Sequence, residues 1–327
     1  MEFKHLSLFL NIPLLLIGFF LLNRGAGMLI DGSTSILRKI SVPETAINFT
    51  AIAFGTSLPK LFTILLSAYN GYTDLVIGTI LGSCIFNLIG VLAIVGLTRP
   101  MRTHLTTATI GIATLLFSTV LFYFLANDVL ISNRSGINFS RTDGYILLAG
   151  FVLFMTYGYF NIKKHHTIWF TDEQPEQHFY PVWFAIILIL VGILGLVAGG
   201  VLCVNNLIDI SQKYHISQKF LGQGILSVGG SFVMLYWIIS TKSHSSKFEL
   251  SNLIGLDMLN LLGMTGAAAL IMPFAYNKVF NFDVLLFLCI TILLLLLLWV
   301  GKKLTITKAK AKLLLVVLLL YLVYLFL

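Results

Sequence analysis

The chain has 327 residues, of which 58% are hydrophobic and 10% charged, with a mean hydropathy of +0.95. Soluble globular proteins carry roughly 25% charged residues, so this composition cannot cover a water-facing surface. A formal net charge of +8 would suggest nucleic acid in a soluble protein. Here the basic residues sit mostly in short loops between apolar runs, so the lipid bilayer is the expected partner and nucleic acid is not.

A bilayer core takes about 20 apolar residues per helix. Runs of that kind begin near Asn11, Pro43, Asp74, Leu105, Thr142, Tyr180, Gln218, Leu250, Phe280 and Lys312. The expected fold is all-α and integral to a membrane, with about ten transmembrane helices. The first run lacks a cleavage-site pattern and reads as a mature helix. The first and sixth runs are long. Gly55-Thr56-Ser57-Leu58-Pro59 breaks the second, and Gly229-Gly230-Ser231 breaks the seventh.

Basic residues in alternate loops number thirteen against six, while Arg24 and Lys60 lie within spans. The positive-inside rule then places the richer set in the cytoplasm and both termini outside, in the cytoplasmic membrane if the source is bacterial. His165 and His166 read as solvated loop residues. Cys84, Cys203 and Cys289 fall in apolar stretches without metal-ligand spacing and read as small buried hydrophobes. Arg24 is expected to snorkel, and Gln223 to hydrogen-bond to a neighbouring helix. Catalytic motifs and phosphate-cradling glycine loops are absent, so neither an enzyme nor a cofactor is expected.

The chain matches itself. At an offset of 174, Gly25 meets Gly199, Gly55 meets Gly229 and Ser57 meets Ser231. After a one-residue slip, Gly82 meets Gly255, Asn87 meets Asn260, Gly90 meets Gly263 and Pro100 meets Pro273. Each half holds five spans, an odd number, so the halves enter the membrane from opposite sides. Residues 1–161 form an N-terminal half with its repeat at about 25–100, and 162–179 a cytoplasmic linker. Residues 180–327 form a C-terminal half with its repeat at about 199–273. Inverted repeats of this kind are typical of secondary transporters with a midplane site.

The first repeat reads Gly25-Ala-Gly-Met-Leu-Ile-Asp31, Ala53-Phe-Gly-Thr-Ser-Leu-Pro59, Asp74-Leu-Val-Ile-Gly78 and Gly82-Ser-Cys-Ile-Phe-Asn87. It resembles the calcium/cation antiporter superfamily, the sodium/calcium exchangers and their bacterial relatives. That resemblance implies an ion site where two broken helices meet. By motif position the first repeat would contribute Thr56, Ser57, Lys60, Ser83 and Asn87. The second would contribute Gly230, Ser231, Met234, Leu256 and Asn260.

Two of these positions depart from the motif in charge. The family's glutamates are replaced by Lys60 and Met234, a hydroxyl by Gly230 and another by Leu256. Calcium takes six to eight oxygens with carboxylates for charge compensation. Placed about 4 Å from an ammonium, it is repelled by roughly 8 kcal/mol at an effective dielectric of 20. Standard calcium exchange is therefore not expected and no metal ligand set is assigned; Asp257 is the best-placed replacement carboxylate. Three readings of Lys60 stay open. It is a tethered substitute ion that leaves transport uncoupled or proton-coupled, a contact for an anionic or zwitterionic substrate, or the partner of Asp257 in a closed bundle. The competing class is a structural or regulatory membrane protein on the same scaffold. Substrate and oligomeric state are not legible.

Overall fold

The computed structural model describes residues 2–42, 47, 57–98, 101–102, 107–127, 139–165, 180–231, 250–299 and 305–326. Within them run ten helical segments. They are α1 (Glu2–Lys39), α2 (Leu58–Tyr69), α3 (Thr73–Thr98), α4 (Thr109–Ala126) and α5 (Arg141–His165), followed by α6 (Val182–Tyr214), α7 (218–231), α8 (250–271), α9 (Lys278–Trp299) and α10 (Lys308–Phe326). Seven of these are long and apolar enough to cross a membrane. Continuous helix is the physical outcome of such runs, because lipid offers no partner for an unpaired backbone amide or carbonyl. Both expected long helices appear, and α1 begins at Glu2, earlier than its apolar run suggests.

The helix ends follow local chemistry. Pro59 stands in the first turn of α2, where its missing N–H costs nothing. That helix stops at Asn70 and Gly71, the latter with φ +77°. His215 closes α6 in the left-handed region at φ 56°.

Helices α1 and α6 pack against each other through glycines. A Cβ on Gly25 would lie 2.7 Å from the Gly192 carbonyl oxygen, and one on Gly199 would lie 2.7 Å from the Gly18 carbonyl oxygen. Small residues permit this backbone approach where lipid tails give no hydrophobic drive. The repeat register makes Gly18 the counterpart of Gly192, and Gly25 that of Gly199. Gly18 thus touches the counterpart of Gly25, and Gly25 that of Gly18, which is the contact rule of a two-fold axis.

The most enclosed helices are α3 and α8. Each is interrupted by a π-helical stretch, Phe86–Val91 in α3 and Leu259–Met264 in α8. Both ends of these stretches stand 173 residues apart, and the second residue of each is an asparagine. Single π turns inside α-helices cluster at functional positions. The outer flanks of α1, α6 and α10 expose Leu16, Phe20, Leu194 and Leu320, as lipid-facing surfaces do. At one end of the bundle Met101–Arg102 pairs antiparallel with Thr305–Ile306. At the other, Phe139 and Phe274 form a bridge with rings 5.2 Å apart.

Candidate functional site

The π stretch of α3 presents Asn87 to α8, where its Nδ2 donates to Asp257 Oδ1 at 2.8 Å. At the last described turn of α7, Ser231 Oγ donates to Asn87 Oδ1 at 3.2 Å. This fixes the amide: nitrogen toward the carboxylate, oxygen toward α7. The second oxygen of Asp257 has no hydrogen-bond partner although the residue is fully buried. Cys84 lies one turn before Asn87 with its Sγ 3.9 Å from the Asp257 backbone oxygen. The Asn260 amide lies beside that thiol without the geometry of a hydrogen bond for its Nδ2.

Lys60 enters from the first turn of α2. A Cβ on Gly230 would lie 3.0 Å from its Cε and 3.9 Å from its Nζ, so the lysine stem fills the space a side chain at 230 would need. Asp257 and Cys84 are the groups in its electrostatic reach. Among the described residues no carboxylate makes an ion-pair contact with Lys60; Asp257 acts on its ammonium from beyond contact distance. The lysine remains partly accessible.

The structure therefore gathers Lys60, Gly230, Ser231, Asn87, Asp257 and Asn260. Ser57 is buried at the start of α2, and Ser83 is buried with its hydroxyl donating to the Thr79 carbonyl oxygen at 2.7 Å. Leu256 is half-buried and offers no oxygen from its side chain. Thr56 and Met234 lie outside the described residues. Cys84, read from sequence as a small core residue, belongs to this cluster; the signal was its register, since position 84 is the repeat counterpart of 257.

Gln223 meets the Asp283 carboxylate of α9, the neighbouring-helix contact expected of it. Arg24 is exposed and stacks over the Phe20 ring at 5.7 Å. A second charged cluster was not foreseen: Lys219 Nζ lies 2.7 Å from Asp283 Oδ2 and donates to Tyr324 Oη at 2.9 Å. Among the described residues no three His, Cys, Asp or Glu side chains gather as a metal site.

The model of the family described as sodium/calcium exchanger protein matches residues 10–160 and 184–327. The chain belongs to that family. It is 28% identical to CaxA of Alkalimonas amylolytica over 264 residues, covering 79% of this chain and 80% of CaxA. It is 24% identical to the sodium/calcium exchanger MaX1 of Methanosarcina acetivorans over 302 residues, covering 82% and 85%. A solved structure of the sodium-calcium exchanger NCX_Mj superposes with a TM-score of 0.59 at 23% identity, covering 96% of this chain and 98% of that one. The exchanger fold is thereby shared. Members of this family are membrane transporters rather than enzymes, and this chain is an integral membrane protein.

Proposed function

We propose that this exchanger-family protein is a secondary transporter that works by alternating access, with the Lys60 ammonium standing where its relatives hold a transported cation. One observation carries the reading: the lysine stem lies against the bare backbone of Gly230, and its ammonium is within electrostatic reach of buried Asp257. One ammonium and one carboxylate leave the described centre neutral. A divalent ion added there would bring two uncompensated charges into a low-dielectric region, which is costly unless paired. MaX1 and NCX_Mj are named as sodium/calcium exchangers; standard calcium exchange is not proposed for this chain.

Residues 1–161 and 180–327 act as the two oppositely inserted halves, joined by 162–179, with both termini outside a cytoplasmic membrane. The ion-facing set is Thr56, Ser57, Lys60, Ser83, Asn87, Ser231, Met234 and Asn260, with Asp257 as counter-charge. Radiotracer uptake into proteoliposomes, across a panel of cations and anions, tests the reading. Flux of some solute without calcium flux is expected. Calcium uptake by the unaltered chain overturns the site argument, and no flux of any solute favours a non-transporting scaffold.

A further inference from the structure

At the start of α7 and the end of α10 lies a half-open cavity of about 190 Å³ lined by Ser217, Lys219, Phe220, Gln223, Tyr324 and Leu325. Gln223 forms its inner wall. This side chain is 1% exposed and lies against the buried Asp283 carboxylate. A buried glutamine set against a buried carboxylate at the edge of a cavity offers a polar lining to a polar visitor.

Below Gln223 the same face of α7 continues with Ser227 and Ser231, each four residues on and each buried. Ser231 reaches Asn87, and Asn87 reaches Asp257. A file of buried polar side chains thus joins the cavity to the central carboxylate through a chain that is 58% hydrophobic. The file is shut in this conformation. A Cβ on Gly82 of α3 would lie 2.5 Å from the Gln223 Cα, so α3 seals it. Gln223 also sits inside another π-helical stretch, Leu221–Leu226, the kind of irregular turn that can accommodate local rearrangement.

The mouth is held by a latch. Lys219 on α7 is ion-paired to Asp283 on α9 and hydrogen-bonded to Tyr324 on α10. Its ammonium also sits 5.4 Å from the Phe280 ring centroid and 5.2 Å from that of Tyr324. Asp283 is fully buried. Buried ion pairs give up much of their attraction to desolvation, so stability alone is weak grounds for keeping one.

We propose that this cavity is the vestibule through which small hydrophilic solutes reach the Asp257–Lys60 centre, with Lys219, Asp283 and Tyr324 as its latch and Gln223 as its inner door. The inference rests on the transport reading for its purpose, but the route itself is measured without transport.

Cys84 is a native reporter at the far end. In proteoliposomes holding the full chain with Cys203→Ala and Cys289→Ala, a charged, membrane-impermeant methanethiosulfonate is supplied on both faces. Modification of Cys84 is then followed by mass spectrometry. Lys219→Met and Asp283→Asn should each speed it at least tenfold, while Lys219→Arg stays slow. Gln223→Trp added to Lys219→Met should return the rate to its slow value. Two monodisperse latch variants with unaltered rates overturn the proposal, as does acceleration that survives Gln223→Trp. Tracer flux on the same vesicles separates the two ideas. Flux retained despite Gln223→Trp removes the route and leaves transport standing. Latch-dependent labelling without any flux leaves the route standing and removes transport.

Discussion

Asn87 and Asp257, 170 residues apart in sequence, are joined by a 2.8 Å hydrogen bond from amide nitrogen to carboxylate oxygen. Their repeat counterparts are Asn260 and Cys84, which also lie side by side. The same pairing occurs on both sides of the pseudo-two-fold axis, but only one side carries a charge. Lys60 supplies the opposite charge from a third helix.

Asp257→Leu should destabilise the protein, because it leaves Lys60 without its counter-charge. Lys60→Met combined with Asp257→Leu should recover much of that loss. A double-mutant cycle on thermal unfolding in detergent is expected to give a coupling of about 1–3 kcal/mol. Additive effects would mean that the two groups do not sense each other.

Gly230→Thr restores a hydroxyl-bearing side chain but drives its Cβ to 3.0 Å from Lys60 Cε. Overpacking of this kind costs about 1–3 kcal/mol. The expected result is a lowered unfolding temperature that Lys60→Ala brings back. A fully tolerated Gly230→Thr with Lys60 intact would show that the lysine stem lies elsewhere.

Lys60→Glu with Met234→Glu replaces a cation and a thioether by two carboxylates. The double variant should bind calcium in isothermal titration calorimetry, while the unaltered chain shows no heat at millimolar calcium. Binding by both, with similar affinity, would contradict the charge argument.

Gly18→Leu and Gly192→Leu occupy equivalent places on the α1–α6 contact. Each should lower stability, by about 1–3 kcal/mol, and by similar amounts. Circular-dichroism melts in one detergent would check this, and a large difference between the two would speak against the two-fold relation of these helices.

Much of the frame was legible in the sequence because membrane helices advertise themselves by composition, and the Gly, Asn and Pro pairs of the repeat fixed the register of α3 against α8. The same register led to Asn87, Asn260 and, through its position beside the latter, Asp257. The π stretches were not legible, since a one-residue widening of a turn leaves no mark in an apolar run. The Lys219–Asp283 pair was missed because its members lie 64 positions apart at the edges of separate runs, where each looks like an ordinary loop charge. Gln223 was noticed, but its place at a cavity wall depends on what α3, α9 and α10 put around it.

The exchange of thiol for carboxylate at positions 84 and 257 bears on the ancestry of the molecule. A symmetrical dimer assembled from two first halves would set two lysines at its middle with neither Asp257 nor a substitute for it. One assembled from two second halves would set two aspartates there with no lysine. Electrical balance between these groups exists only in the fused hetero-pair, so the gene cannot be split back into either of its parts without leaving a like-charged core.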